Sequence, residues 1–330
     1  VRAGPGERVG RREDASLLRG AGRYVADLDA PGCLHAVFVR AARASAVIAR
    51  IDASAARTRP GVVAVVTAGE LGLPLDGPLP GMVPGVRRPL LAGEVVRHAG
   101  EPLAVVVAET AAQALDAAEH VVVELTPRPA VIDPTAALAA DAWKVHDALD
   151  TNVYLTGRFP NGLAAPSGSA PPDAGSVSAG AAVPADVMAH AVHLVELRTE
   201  SQRVAAAPME PNGVLAVPGA PAGGVTLWAS TQFVHGVRRE VAELLDLPVE
   251  RVRVVTPRVG GGFGPKFETA PEYVVVAALA LALGRPVRWQ EVRSENLVTM
   301  PHGRGHRQHA TLGLAADGRF TGLRVRVHTD

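Results

Sequence analysis

The stretch Arg258-Val259-Gly260-Gly261-Gly262-Phe263-Gly264-Pro265-Lys266-Phe267-Glu268 decides how this chain reads. It follows a strand-like run at 251–255 and precedes an apolar run at 271–283 that reads as a helix. Pro271 suits a first helical turn, where its missing N–H costs nothing, and Gly284 suits the position just past the last turn. Glycines between a strand and a helix let backbone N–H groups approach an anion or an oxo group with no Cβ in the way. Phe263 is out of place in a pure turn, and a ligand wall is one destination for its ring. Two common motifs fail here. A dinucleotide fingerprint counted from Gly260 and Gly262 needs glycine where Pro265 stands. A triphosphate loop needs Gly-Lys-Ser/Thr, but Lys266 lies between Pro265 and Phe267. On these residues alone, a packing turn and a ligand loop are equal readings.

Upstream, Trp228-Ala229-Ser230-Thr231-Gln232-Phe233 ends a strand predicted over 223–228. It opens a helix whose apolar positions are Val234, Val237, Val241 and Leu245. Ser230 or Thr231 is the expected cap, and Gln232 taken alone reads as a capping or solvated residue. Ala207-Pro208-Met209-Glu210-Pro211-Asn212-Gly213 holds a carboxylate between two prolines and reads as an exposed turn. The run 302–309 has metal-ligand residue types. However, Arg304 and Arg307 oppose a cation, and the alternation fits a strand face. A hairpin about Asp317-Gly318 is predicted over 310–327. Toward the N-terminus, strands over 32–40, 47–51, 62–66, 101–107 and 121–125 alternate with short helices over 55–59 and 111–120. Thr110 is the expected cap of the latter. This pattern makes an α/β or α+β unit over roughly 20–135. Residues 160–184 are rich in Gly, Ser, Ala and Pro without a hydrophobic period, and read as a loop or linker. There is no internal repeat.

At 330 residues the chain is long for one domain. Hydrophobic residues make up 48% but aromatics only 4%, so the core must be Val, Leu and Ala. Lys+Arg and Asp+Glu are both 33, which argues against a nucleic-acid binder, since that needs a basic surface. Lys144 and Lys266 are the two lysines among many arginines. Cys33 is the single cysteine, so an intrachain disulfide, a cysteine-built zinc site and an iron–sulfur cluster are excluded within these residues. In its apolar run it reads as a buried structural thiol. No signal-peptide pattern opens the chain. Its longest apolar run, 274–283, is about half of what a bilayer span needs. A cytoplasmic protein without a membrane span is expected. The chain begins on Val and ends on Asp330 just after a strand-like run, so a portion of a longer chain is expected.

Five segments, in order, resemble the molybdenum-binding large subunit of the xanthine dehydrogenase/aldehyde oxidase family. They are Arg19-Gly20-Ala21-Gly22-Arg23-Tyr24-Val25-Ala26-Asp27, Gly100-Glu101-Pro102-Leu103-Ala104, Pro208-Met209-Glu210-Pro211 with Gly213, Ser230-Thr231-Gln232, and the glycine loop. Lys266-Phe267 is similar to the branch named for the carbon monoxide dehydrogenase large chain. The resemblance implies an α+β chain. Residues 15–135 would be an α/β hammerhead domain and 136–187 a connector with a Pro/Gly/Ser-rich insert. Residues 188–330 would be the first part of a molybdopterin-binding α/β domain. The implied reaction oxidises an aldehyde, an N-heterocycle or carbon monoxide, with water as oxygen source. Electrons would pass to 2Fe-2S and FAD carried by a small iron–sulfur subunit and a medium FAD subunit, in a heterotrimer or its dimer. The implied partners include a small-molecule substrate but no nucleic acid and no membrane.

The implied cofactor is molybdopterin cytosine dinucleotide with molybdenum, held by the pterin dithiolene, so no side chain is a metal ligand. Gln232 resembles the glutamine that hydrogen-bonds an oxygen on molybdenum. Phe263 and Gly264 resemble the pair beside the metal, with the Gly264 N–H near an oxo ligand. These three form the implied catalytic set, and Gly261 and Gly262 join them as cofactor-binding residues. The sequence departs from the family at Ala41-Ala42-Arg43-Ala44-Ser45, at Pro265 and in the insert near 160–187. The family's catalytic glutamate and active-site cysteine loop would fall beyond Asp330. The substrate is therefore not legible, and this stretch by itself is expected to be inactive. The rival reading is a non-catalytic assembly protein or a small-molecule-binding protein that keeps the N-terminal half.

Overall fold

The computed structural model describes residue 6 and residues 10–73, 76–78, 86–156 and 188–330. The insert expected near 160–187 lies outside the described residues. The first half holds β1 (Leu34–Arg40), β2 (Ala46–Asp52), β3 (Val62–Thr67), β4 (Pro102–Ala108), α1 (Ala111–Ala118) and β5 (Val122–Pro127). The second half holds β6 (His193–Ser201), β7 (Gly213–Pro218), β8 (Val225–Ala229), α2 (Val234–Leu244), β9 (Val252–Val255) and α3 (Pro271–Leu283). It continues through β10 (Val287–Gln290), α4 (Arg293–Thr299), β11 (His306–Leu314) and β12 (Phe320–Thr329).

Several elements form where local chemistry predicts. The Thr110 side chain accepts the Gln113 N–H at 3.2 Å, which satisfies a donor that α1 would otherwise leave unpaired. Helix α3 starts on Pro271 and stops at Gly284, whose φ of 62° suits a residue without a Cβ. It is apolar on all sides, as a helix buried in a core must be. The hairpin of β11 and β12 turns at Asp317-Gly318, where the Gly318 N–H donates to the Ala315 carbonyl.

Strands from the two halves merge into one sheet of seven, ordered β9-β8-β7-β10-β1-β4-β3. The join is β10 beside β1, parallel, with Leu34 opposite Val287 and Ala36 opposite Trp289. The expected domains at 15–135 and 188–330 therefore share a sheet. The main core follows this seam. Leu34, Phe38, Val105 and Val107 from the first half pack with Val214, Leu227, Tyr273 and Trp289 from the second. The Trp289 ring meets Phe38 edge-on at 5.7 Å and Tyr273 at 6.4 Å. Elsewhere the core is Val, Leu and Ala, as the composition requires.

Strands β2 and β5 form a small antiparallel sheet with Val95–Val96. Strands β6, β11 and β12 form another. Cys33 is half-buried rather than buried; its Sγ–H donates to the Leu34 carbonyl, and burial pushes the thiol pKa up.

Candidate functional site

Strands β8 and β9 are parallel neighbours, with Val225 opposite Val252. The turns that follow them therefore leave the sheet at the same end, the position where α/β folds gather ligands. Strand β7 runs antiparallel to β8, with Val214 opposite Ala229, so the segment entering β7 reaches that end as well. Three pieces of sequence converge here: 207–212, 230–233 and 256–267.

Gln232 and the glycine loop are in direct contact. The Gly264 N–H donates to Gln232 Oε1 at 3.1 Å, and the Gln232 N–H donates to the Lys266 carbonyl at 2.9 Å. A Cβ on Gly262 would lie 2.3 Å from Gln232 Oε1, so the side chain occupies the space that glycine leaves. A Cβ on Gly260 would lie 2.5 Å from the Glu210 Cβ on the other side. The loop is thus gripped from two directions. Phe263 has φ of 57°, a left-handed backbone rare for a bulky residue, and its ring is 74% exposed. Because Gln232 Oε1 faces an N–H, the amide NH2 is the donor that this exposed side chain offers outward. The Gly264 N–H, which the resemblance places near an oxo ligand, is given to Gln232 in this structure.

Behind this surface lies a hub that the sequence did not reveal. The Glu210 side chain is only 11% exposed, so the turn its proline neighbours suggest is open at Met209, which is 89% exposed, and not at Glu210. Its Oε2 accepts from Ser230 Oγ at 2.6 Å and from the Gly260 N–H at 2.7 Å. Lys266 Nζ donates to Ser230 Oγ at 2.7 Å, to the Glu210 carbonyl at 2.8 Å and to Glu210 Oε2 at 3.3 Å. Burial pushes the Lys266 pKa down, opposed by the Glu210 carboxylate. Ser230 is buried and its carbonyl accepts the Tyr273 hydroxyl at 2.9 Å, so it serves this hub rather than capping α2. Thr231 Oγ1 instead accepts the Phe233 N–H at 2.9 Å and donates to the Lys266 carbonyl at 3.1 Å. Phe233 stands at the cap position of α2. The one sequence signal for the hub was the rarity of lysine.

A buried acid, Glu291, steadies the segment before β7. Glu291 Oε2 accepts the Asn212 N–H at 2.8 Å, and Arg293 donates to the carbonyls of Pro208 and Met209. Among the described residues, no three His, Cys, Asp or Glu side chains come together as a metal-binding group. His306 and His309 lie along β11.

Known proteins share this architecture. Residues 19–129 match the family model described as the aldehyde oxidase and xanthine dehydrogenase a/b hammerhead domain, and residues 170–330 match that of the molybdopterin cofactor-binding domain. The nicotine 6-hydroxylase large subunit of Paenarthrobacter nicotinovorans is 36% identical over 332 residues, which is 98% of this chain and 38% of that protein. The carbon monoxide dehydrogenase large chain of Hydrogenophaga pseudoflava is 35% identical over 338 residues, covering 99% of this chain and 40% of its own length. Among solved structures, quinoline 2-oxidoreductase from Pseudomonas putida 86 superposes with a TM-score of 0.84 at 36% identity, over 98% of this chain and 39% of that one. This chain spans about two fifths of the length of these relatives.

Proposed function

The chain belongs to the xanthine dehydrogenase/aldehyde oxidase family, and on that premise we propose that it cradles the molybdenum cofactor of a molybdenum hydroxylase large subunit. The observation that carries this reading is the bond from the Gly264 N–H to Gln232 Oε1, made across a Gly262 that has no room for a Cβ. It locks two turns together and leaves an amide donor and a bare stretch of backbone exposed on one side. A cofactor of the molybdopterin type fits that arrangement. Its metal would be held by its own dithiolene sulfurs, in keeping with a site of backbone and amide groups rather than clustered acids and imidazoles.

When bound, the cofactor supplies the oxidation of a small carbon-centred substrate, an aldehyde, an N-heterocycle or carbon monoxide, with water as oxygen source. This chain's residues do the rest of the work assigned to them here. Gln232 donates its amide N–H toward an oxygen of the bound group, as a preorganised dipole that needs no rearrangement during reaction. The backbone of Gly261 and Gly262 permits close approach, Phe263 walls the site, and Gly264 holds the amide in place. The cytosine dinucleotide form of the cofactor follows from the resemblance. So do the 2Fe-2S and FAD subunits in a heterotrimer or its dimer. Cys33 alone cannot ligate a cluster, so the proposed cluster lies outside these residues. A relative of 33% identity, the 6-hydroxypseudooxynicotine dehydrogenase complex subunit gamma of Paenarthrobacter nicotinovorans, is named as one part of a complex. No helix among the described residues is long and apolar enough to cross a membrane, which is compatible with the cytoplasmic location proposed.

Gln232→Ala in the assembled enzyme tests this reading. Turnover should fall about a hundredfold, the usual loss for one preorganised donor, with molybdenum content and melting temperature unchanged. Unchanged turnover at full molybdenum content would remove Gln232 from the site.

A further inference from the structure

The cofactor reading uses the outer face of the loop and the Gln232 amide, and leaves Lys266, Glu210 and Ser230 without a role. Lys266 is the more enclosed of the two charges, with its side chain 0% exposed and that of Glu210 11%. A buried ammonium is costly unless it is paired and hydrogen-bonded. Here Lys266 is fully hydrogen-bonded, whereas Glu210 Oε1 is buried without a hydrogen-bond partner. Three N–H donors meet three acceptors: Ser230 Oγ, the Glu210 carbonyl and Glu210 Oε2. Glu210 Oε2, on the 207–212 segment, in turn gathers three donors from the other two pieces: Ser230 Oγ, the Gly260 N–H and Lys266 Nζ.

We infer that Lys266 is the positioning residue of the site. Its side chain and its own carbonyl bind the 207–212 segment, the Ser230–Gln232 turn and the glycine loop into one unit, and so fix where the Gln232 amide stands. This rests on the cofactor reading for its purpose, though not for its geometry. The backbone of Lys266 holds Gln232 by its N–H, while Gly264, two residues earlier, holds the same residue by its amide. From the opposite end of the same residue, Nζ reaches the Ser230 hydroxyl, two positions before Gln232. Gln232 therefore cannot shift relative to the loop unless bonds around Lys266 break. Buried ion pairs add little net stability over apolar replacements of similar volume, and the best-attested reason to keep one is that it specifies a single arrangement. The same pair sets the spacing of the loop, because Glu210 receives the Gly260 N–H while its Cβ fills the place a Gly260 side chain would take.

A purely structural pair and a positioning pair respond differently to double replacement. Lys266→Met leaves the largely enclosed Glu210 carboxylate without its charge partner, so both roles predict a lower melting temperature. Glu210→Gln combined with Lys266→Met removes the stranded charge. The melting temperature should then return most of the way to wild type under either role. The discriminating readout is amide hydrogen exchange in peptides covering 228–234 and 256–266, measured on the protein in its native assembly with metal analysis alongside. Positioning predicts that both peptides exchange at least about tenfold faster in the double variant, although overall stability has recovered, while β4 stays unchanged. If Lys266→Met does not fold, the double variant and Ser230→Ala carry the test, the latter with a smaller increase in the same two peptides. Exchange in both peptides that returns to wild type together with the melting temperature would overturn the inference. So would a rise spread evenly over the chain. Because exchange is read independently of molybdenum, faster turns in a protein that proves metal-free would keep the positioning role and discard the cofactor reading.

Discussion

Strand β4 is buried at all seven positions, whereas β6 is exposed at eight of its nine. The first is a continuous apolar run, Pro-Leu-Ala-Val-Val-Val-Ala, covered on both faces of the seven-stranded sheet. The second alternates. Val195 and Leu197 share a face with Leu312 and Ala310 of β11 and, beyond them, with Leu323 and Val325 of β12. Glu196 and Arg198 point the other way, with Thr311 and His309. The contrast shows what a precise site requires. At the end of the large sheet, a full core lets Lys266 be buried and Glu210 nearly so, within specific hydrogen bonds of 2.6 to 3.3 Å. On the outlying sheet, the ion pairing is looser and more exposed; Arg307 Nε stands 3.5 Å from Glu200, whose side chain is 65% exposed. Its apolar face contributes no such enclosure.

The largest expected break in this contrast is Lys266→Met. Stranding one partner of a buried charge pair costs about 3–5 kcal/mol, and urea denaturation should show it. A loss below about 1 kcal/mol would put the pair on a level with surface pairs such as those on β6. Next is Gly262→Ala. Its Cβ has no room beside Gln232, so about 1–3 kcal/mol of overpacking is expected. The Gln232 amide should also be displaced, and a crystal structure of the variant would check that. A third effect is pH-dependent. Burial lowers the Lys266 pKa, so between that depressed value and the ordinary lysine value the folded chain binds fewer protons than the unfolded chain. Stability should therefore rise with pH through that window in wild type, relative to the Lys266→Met, Glu210→Gln double variant. Parallel stability–pH curves for the two proteins would contradict it. The smallest effect is expected on the outlying sheet. Leu197→Ser, at a residue 59% exposed, should change stability by no more than about 0.5 kcal/mol. It should also lessen self-association in sedimentation, because exposed apolar faces promote contact. A large destabilisation there would mean that the face is packed.

Much of the local structure was legible because its causes are local. Thr110 before α1, Pro271 and Gly284 around α3, and Asp317-Gly318 at the hairpin each act within a few residues. The glycine loop and Gln232 were legible as a pair through order and motif, and the structure joins them by a hydrogen bond. The seam between β1 and β10 was not legible, since periodicity says nothing about which strand pairs with another some 250 residues away. A shorter separation, 50 and 56 residues to its partners, hid the role of Glu210. Two flanking prolines mark a turn, but the partners of its carboxylate are Gly260 and Lys266, which follow β8 and β9 in the chain. Ser230 differs from the expected cap because the cap position of the helix falls three residues later, at Phe233, and the Ser230 hydroxyl bonds Glu210 and Lys266 instead.

The most direct test of the account is molybdenum analysis of the native assembly, comparing wild type with Gly262→Leu. A leucine at 262 would drive its side chain into the Gln232 amide and close the gap through which backbone and cofactor would meet. The account predicts stoichiometric molybdenum in wild type and loss of most of it in a variant that remains folded by circular dichroism. A wild-type assembly that is active without molybdenum, or a Gly262→Leu protein that retains its full complement, would contradict it.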